Sequence, residues 1–114
     1  MPIEKIMVLE DELIVRKNLE QQLRQLRYEV AGASTLGAAE ELLAKDNFDL
    51  VIADVRLPDG DGSTLLSQLQ NRPLKPLVVI ISSYGSVESA VECMRNGAFD
   101  YLIKPFVPDQ LEIT

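Results

Sequence analysis

Short, continuous apolar runs alternate with stretches of helical periodicity along this chain of 114 residues. Three of the runs, at residues 6–9, 50–53 and 77–81, are rich in Val and Ile, as is typical of strands buried on both faces of a parallel sheet. Weaker strand candidates lie at residues 29–33 and 99–103. Because strands that alternate with helices form right-handed crossovers, the chain is predicted to be an α/β protein with helices on both faces of its sheet.

Apolar residues recur at helical spacing between the predicted strands. The four helical patterns comprise Leu19, Leu23 and Leu26; Leu36, Ala39 and Leu43; Leu65, Leu66 and Leu69; and Val87, Ala90, Val91 and Met94. We interpret the fourth stripe as core first and as partner surface second. Asn96-Gly97 is a C-cap signal for the fourth helix, and a fifth helix is expected to begin near Pro108. This order favours a doubly wound, flavodoxin-like sheet of five parallel strands with the strand order 2-1-3-4-5.

The length suits one compact domain, so residues 1–114 are expected to form a single domain. The last predicted helix is cut off at Thr114 after about two turns. We therefore expect this domain to belong to a longer protein whose output domain lies beyond Thr114. The single cysteine, Cys93, excludes an internal disulfide, and we interpret it as a packing residue rather than a redox sensor. The chain lacks both a signal-peptide pattern and an apolar run that could span a bilayer, so we expect no membrane association and a cytoplasmic location.

Charge and composition exclude several classes of function. Eleven basic and eighteen acidic residues give a net charge of −7, which argues against direct binding of nucleic acid. Histidine is absent, so Ser-His-Asp and Cys-His catalysis, histidine phosphotransfer and most zinc sites are excluded. The chemistry that remains is that of carboxylates, hydroxyl groups and lysine.

Polar side chains follow the first, third, fourth and fifth predicted strands. They are Glu10, Asp11 and Glu12 after the first strand, Asp54 after the third, Ser82 after the fourth and Lys104 after the fifth. Taken singly, an acidic residue after a strand is more commonly a helix cap or a solvated loop residue. Ligands of open parallel sheets, however, bind outside the carboxyl ends of the strands, so the joint placement predicts one polar site at this rim.

Clustered carboxylates predict a bound cation, because ionised carboxylates repel one another. Oxygen ligands without histidine or thiolate suit Mg²⁺ or Mn²⁺ better than zinc or copper. An EF-hand starting at Asp59 is rejected, since Thr64 stands at the position of its turn glycine. A dinucleotide fingerprint starting at Gly60 and Gly62 is rejected as well, since Leu65 replaces its third glycine.

The same rim suits acyl-phosphate chemistry. A carboxylate such as Asp54 can attack a phosphoryl group and form an aspartyl phosphate. A metal ion and Lys104 can stabilise the equatorial oxygens of the transferring group, and Ser82 can supply a hydroxyl donor.

Four segments of the chain strongly resemble the receiver domains of two-component response regulators, and the match runs over the whole chain. The segments are residues 8–12 (VLEDE), 54–62 (DVRLPDGDG), 82–85 (SSYG) and 97–106 (GAFDYLIKPF). The occurrence of all four segments in this order, at strand ends, is highly specific for the receiver domain family. The last segment is also similar to receivers that precede a central ATPase in transcription activators.

The resemblance implies a phosphoacceptor and a metal site. Asp54 would accept the phosphoryl group and bind the metal, Asp11 would bind Mg²⁺ directly, and Glu10 would act through a metal-bound water. The backbone carbonyl of Arg56 would complete the protein ligands. Glu10 stands where aspartate is more usual, so the longer side chain leaves the water-mediated contact in question.

The resemblance also implies residues that respond to the phosphoryl group. Ser82 and Tyr101 would be the switch residues, and Lys104 would bind a phosphoryl oxygen. Ser82 stands where threonine is more common, which leaves the hydroxyl in place with less restriction of χ1. Arg56 and Tyr84 would tune the rate at which the phosphoryl group is lost.

The function implied by the resemblance is a phosphorylation-activated signalling switch rather than an enzyme. Its partners would be a sensor histidine kinase, a downstream output that regulates transcription, and a second copy bound through helix 4, strand 5 and helix 5. Two alternatives stay open from the residues. A haloacid-dehalogenase-type phosphotransferase would need a second aspartate where Arg56 stands, and a receiver-like module that only binds partners would usually have lost the acceptor, the acidic cluster or the lysine.

Overall fold

The computed structural model describes residues 3–69, 72, 75–82 and 87–103. Over this part of the chain, five strands alternate with four helices. The elements are β1 Lys5–Leu9, α1 Leu13–Gln25, β2 Glu29–Ala33, α2 Leu36–Lys45, β3 Leu50–Asp54, α3 Gly62–Leu69, β4 Leu77–Ser82, α4 Val87–Arg95 and β5 Asp100–Ile103. A short antiparallel hairpin, Arg56–Leu57 with Gly60–Asp61, lies between β3 and α3.

The five strands form one sheet in which every neighbouring pair is parallel, in the order β2-β1-β3-β4-β5. The predicted flavodoxin-like order is therefore confirmed. Leu9 lies in register with Ala33 on one side and with Ala53 on the other, and Asp54 lies in register with Ile81. The order reverses between β1 and β3, and such a reversal leaves a crevice at the carboxyl ends of the two strands.

Hydrophobic cores lie on both faces of the sheet because successive strand residues point to opposite sides. Met7 and Leu9 of β1 pack with residues of α2, α3 and α4, whereas Ile6 and Val8 pack with Leu19 and Leu23 of α1. The continuous apolar strands that the sequence predicts are thus buried on both faces. At about 25 cal/mol per Å² of buried apolar surface, these two layers are the main source of stability of the fold.

Two helical assignments from the sequence are wrong in detail. Leu26 does not lie on the buried face of α1, since the helix ends at Gln25 and the Leu26 side chain is 51% exposed. On α4, Val91 and Met94 are 44% and 47% exposed, so they are not core residues. Burial on α4 is described for residues 91–95, and among these Cys93 is the buried one. The side chains of Val87 and Ala90, which the sequence also assigns to this stripe, lie outside the described part. The interpretation of Cys93 as a packing residue agrees with this position.

The ends of α1 and α4 show how the chain leaves a helix. Gly97 has a φ of 106° and follows α4, as the predicted C-cap signal requires, and the Ala98 N–H donates to the Cys93 carbonyl at 3.0 Å. Arg27 takes the same role after α1 with a φ of 74°, although it is not a glycine. The fifth helix predicted near Pro108 lies outside the described residues. Among the residues described, none of the helices has the length and apolar character needed to cross a membrane.

Candidate functional site

Three carboxylates lie together at the carboxyl ends of β1 and β3. Glu10 directly follows β1 and is fully buried, Asp54 is the last residue of β3 and is 7% exposed, and Asp11 is exposed to solvent. One carboxylate oxygen from each residue lies within 4.8 Å of the other two. The structure thus brings together three of the four acidic residues that the sequence predicts at this rim. The fourth, Glu12, is exposed and is the N-cap residue of α1.

Sheet pairing places the buried carboxylates next to each other. Leu9 and Ala53 are in register, so the residues that follow them, Glu10 and Asp54, leave adjacent strands at the same level. The Glu10 N–H donates to the Ala33 carbonyl at 2.9 Å and extends the pairing of β1 with β2 by one residue. Beyond Asp54, the Val55 N–H donates to the Ile81 carbonyl at 3.0 Å. Both acidic positions are therefore held by the sheet itself.

The carboxylate of Asp54 also accepts a hydrogen bond from the turn that follows it. The Arg56 N–H donates to Asp54 Oδ1 at 3.0 Å, a local side-chain to backbone contact that Asp readily makes. Arg56 is itself fixed by pairing with Asp61 in the hairpin. The orientation of the Asp54 carboxylate is thereby coupled to the loop after β3.

The donor set fits a hard divalent cation. Every side-chain donor in the cluster is a carboxylate oxygen, and carboxylates this close repel one another unless a cation lies between them. Mg²⁺ and Mn²⁺ prefer such oxygen ligands and are commonly held by one or two carboxylates together with water and phosphate oxygens. The residues present therefore match the ion predicted from the sequence.

Three of the remaining predicted site residues lie in the described part of the chain. Ser82 is buried at the end of β4, one residue beyond the position in register with Asp54. Tyr101 is half-buried on β5, in register with Ile80, and Arg56 is exposed in the hairpin. Lys104 and Tyr84 lie outside the described residues. The roles assigned to these five residues stay predictions.

Two residues near the site were not identified from the sequence. Asp59 accepts hydrogen bonds from the backbone N–H groups of Leu36 and Gly37 at the start of α2, and these bonds lower the pKa of its carboxyl group. Arg16 of α1 donates from Nη1 to the carbonyl of Glu10 at 2.9 Å. Both side chains bind backbone groups, and a backbone partner gives no residue-type signal in a sequence.

Comparison with known proteins agrees with this geometry. The family described as "Response regulator receiver domain" matches residues 6–114. The chain is 38% identical over 102 residues to the response regulator protein PilR of Pseudomonas aeruginosa, an alignment that covers 90% of this chain and 23% of PilR. It is 40% identical over 110 residues to the transcriptional regulatory protein ZraR of Escherichia coli, covering 96% of this chain and 25% of ZraR. The chain thus spans about a quarter of the length of these curated relatives.

Solved structures of similar fold are receiver domains and response regulators. The beryllofluoride-activated receiver domain dimer of NtrC4 superimposes with a TM-score of 0.87 at 30% identity, covering 93% of this chain and 88% of that chain. A response regulator from Chloroflexus aurantiacus superimposes with a TM-score of 0.87 at 32% identity, covering 97% of this chain and 92% of that chain. With the acidic cluster at the ends of β1 and β3, these likenesses show that the chain belongs to the response regulator receiver domain family.

Proposed function

We propose that this domain accepts a phosphoryl group on Asp54 from the phosphohistidine of a sensor kinase, in a reaction that depends on Mg²⁺. The observation that supports this proposal is the approach of the Glu10, Asp11 and Asp54 carboxylates to within 4.8 Å of one another at the end of the sheet. Asp54 is nearly buried and is held by the Arg56 N–H, so its carboxylate is oriented before any donor arrives.

In the proposed reaction, a carboxylate oxygen of Asp54 forms a bond to phosphorus while the bond from phosphorus to the imidazole nitrogen of the donor breaks. Mg²⁺, when bound by Asp11, Asp54, the Arg56 carbonyl and, through water, Glu10, would neutralise charge on the transferring group. Lys104 would bind one phosphoryl oxygen, and the Ser82 hydroxyl would donate to another. The domain is then a signalling switch that takes part in its own phosphorylation and dephosphorylation.

Phosphorylation adds about −1.5 to −2 charges. In our proposal the Ser82 hydroxyl moves toward the new oxygens, and Tyr101 turns into the space released behind the loop after β4. Couplings between distant sites are usually about 1–3 kcal/mol, so the phosphoryl group would shift an existing equilibrium rather than create a new fold. Arg56 and Tyr84 would then set the rate of hydrolysis, with the Tyr84 ring shielding the acyl phosphate from water.

The surface that responds would be the face formed by α4, β5 and the predicted fifth helix. Apolar side chains lie exposed on this face or beside it, namely Val91, Met94, Phe99 and Ile103. We propose that a second copy of the domain binds there, by analogy with the NtrC4 receiver, which was solved as a dimer. The proposed output is a transcription-regulating domain beyond residues 1–114 of a cytoplasmic protein, as the regulator ZraR suggests by its name.

Intact-mass analysis after incubation with acetyl phosphate tests the phosphoacceptor assignment. We expect the wild-type protein to gain a single phosphoryl adduct with Mg²⁺ and none with excess chelator. Asp54→Asn should gain none, whereas the matched control Asp61→Asn, which changes an exposed acid in the neighbouring hairpin, should be labelled like wild type. An adduct that persists in folded Asp54→Asn, or no adduct on wild type under any condition, would contradict the assignment.

A further inference from the structure

We propose that Arg16 is a positioning residue for the Mg²⁺ site. Its guanidinium group holds the backbone of Glu10, and the buried carboxylate of Glu20 holds the guanidinium group. This inference rests on the proposed function, since it concerns the same acidic cluster. It adds a residue on α1 that contacts the site through the backbone carbonyl of Glu10.

The backbone of Glu10 is bound on both of its polar groups. Its N–H donates to the Ala33 carbonyl at 2.9 Å, and its carbonyl accepts from Arg16 Nη1 at 2.9 Å. The first contact belongs to the sheet. The second comes from α1, where Arg16 lies six residues after Glu10. Fixing both groups sets the direction in which the buried Glu10 side chain leaves the backbone. Arg16 therefore determines where that carboxylate lies relative to Asp11 and Asp54.

The Arg16 side chain is itself held in place. Its Nε lies 3.5 Å from Glu20 Oε2, one turn further along α1, and the Glu20 residue is only 2% exposed. One guanidinium group thus donates a hydrogen bond to a loop carbonyl and forms an ion pair with a buried carboxylate, whose Oε2 accepts no hydrogen bond from the described residues. The planar guanidinium group of arginine can reach both partners at once, which the single ammonium group of lysine does less readily. Lys17 and Arg24 approach the other oxygen of Glu20, at 3.9 and 3.4 Å, so the buried charge has more than one cationic partner.

Gly32 on β2 makes room for this buried carboxylate. A Cβ atom at position 32 would lie 2.5 Å from Glu20 Oε2 and 2.9 Å from its carboxyl carbon. Such a contact is too close for any other residue type unless Glu20 moves. The glycine therefore lets the Glu20 carboxylate lie directly against the edge strand, where it can hold Arg16.

If Arg16 acts by positioning Glu10, its removal should change the Mg²⁺ affinity in the opposite direction from the change expected if it acts only through its charge. A cation near the acidic cluster disfavours Mg²⁺ by repulsion, so loss of the charge alone would make Mg²⁺ bind more tightly. Loss of a positioning contact would make Mg²⁺ bind more weakly, since partners that orient metal ligands contribute about 10–100-fold in affinity. A residue that serves only stability would lower the melting temperature and leave the affinity of the folded protein unchanged. The direction of the change in the dissociation constant therefore separates the three roles.

The experiment is a calorimetric titration of Mg²⁺ into wild type, Arg16→Met, Arg16→Lys and the matched control Arg24→Met, each checked for folding by thermal unfolding. Arg24 is a suitable control because it also contacts Glu20 and donates to a backbone carbonyl, that of Val30, away from the acidic cluster. We expect Arg16→Met to weaken Mg²⁺ binding about tenfold. Arg16→Lys should also weaken it, because lysine keeps the charge but cannot bridge both partners, and Arg24→Met should bind as wild type does.

Several results would overturn the assignment. They are unchanged or tighter Mg²⁺ binding by folded Arg16→Met, wild-type binding by Arg16→Lys, and an equal loss of affinity in Arg24→Met. If Arg16→Met does not fold, the comparison of Arg16→Lys with wild type gives the answer. Wild-type protein that binds no Mg²⁺ would overturn the proposed metal site and this assignment with it. Failure of the Arg16 assignment alone would leave wild-type Mg²⁺ binding and labelling of Asp54 intact.

Discussion

The carboxylate of Asp59 accepts the backbone N–H of Leu36 at 2.9 Å, although the two residues are 23 positions apart. Its second oxygen accepts from the Gly37 N–H at 3.1 Å. The first N–H groups of a helix have no partner within the helix, so a loop residue from another part of the chain satisfies two of them in α2. The loop after the proposed acceptor is thereby attached to α2.

Replacement of Asp59 by alanine is expected to lower the melting temperature, because two N–H groups at the start of α2 lose their acceptor. Asp59→Asn should have a smaller effect, since its amide oxygen can still accept one of the two bonds. Thermal unfolding at neutral pH measures both variants. Equal melting temperatures for wild type and Asp59→Ala would show that water replaces the carboxylate without loss.

The same contact predicts a specific dependence on pH. The N–H groups of Leu36 and Gly37 lower the pKa of the Asp59 carboxyl group below its ordinary value of 3.8. A lowered folded-state pKa stabilises the protein fully above the unfolded value, and this contribution is lost as the pH falls through the folded value. The difference in unfolding free energy between wild type and Asp59→Asn should therefore shrink below pH 3.8. Denaturant unfolding at several acidic pH values measures it, and a constant difference would contradict the prediction.

Gly60 is expected to tolerate no side chain. Its φ is 149°, and a Cβ atom there would lie 2.8 Å from Leu36 Cδ1 in the buried core. We expect Gly60→Ala to lower the free energy of unfolding by about 1–3 kcal/mol, the usual cost of a strained backbone conformation. Gly37→Ala is the matched control, since its Cβ would meet only ordinary contacts at 3.8 and 3.9 Å. Equal stability of Gly60→Ala and wild type would argue against strain at this turn.

Arg27 offers the opposite case, a position where glycine should stabilise the protein. Arg27 follows α1 with a φ of 74°, a conformation that costs residues with a Cβ about 1–2 kcal/mol. Arg27→Gly removes this strain but adds freedom to the unfolded chain, so we expect a net gain of about 0.5–1 kcal/mol. Chemical denaturation measures the gain. Arg27→Ala, which removes the charge and keeps the strain, should show none of it.

The thiol of Cys93 is expected to react slowly in the folded protein. Burial raises its pKa, and the nearby negative charges of Glu92 and Asp61 raise it further, so little thiolate is present at neutral pH. Alkylation with iodoacetamide, followed by mass analysis, should be much faster in denaturant than in buffer. Rapid labelling of the folded protein would instead favour the redox-sensor interpretation that we set aside.

The main features of the fold follow from the sequence because a strand that is buried on both faces is a continuous run of apolar residues. The runs that form β1, β3 and β4 are rich in Val and Ile, and their alternation with helical patterns predicts the parallel sheet that is observed. The meeting of Glu10 with Asp54 also follows, since both residues come at the carboxyl ends of neighbouring parallel strands.

What could not be predicted depends on packing and on backbone partners. Helical periodicity alone does not tell which side of α4 the sheet covers, so Val91 and Met94 were assigned to the core although Cys93 lies there. Asp59 and Arg16 bind carbonyl or N–H groups that every residue carries. Only the fold reveals which of these groups a given side chain will reach.

The contact between Arg24 and Val30 has a consequence for pairing at the edge of the sheet. β2 is an edge strand of the described sheet. The Glu29 N–H points toward the first strand and donates to the Glu4 carbonyl. Because the backbone groups of successive strand residues point to opposite sides, the N–H and C=O of Val30 point away from β1. An open edge of this kind invites a foreign strand to add to the sheet and so to start aggregation. Arg24 Nη2 donates a hydrogen bond to the Val30 carbonyl at 3.1 Å, so a charged group lies at that edge. The Arg24 side chain therefore lies where an added strand would have to form its hydrogen bond to Val30, and it disfavours edge-to-edge pairing at this position.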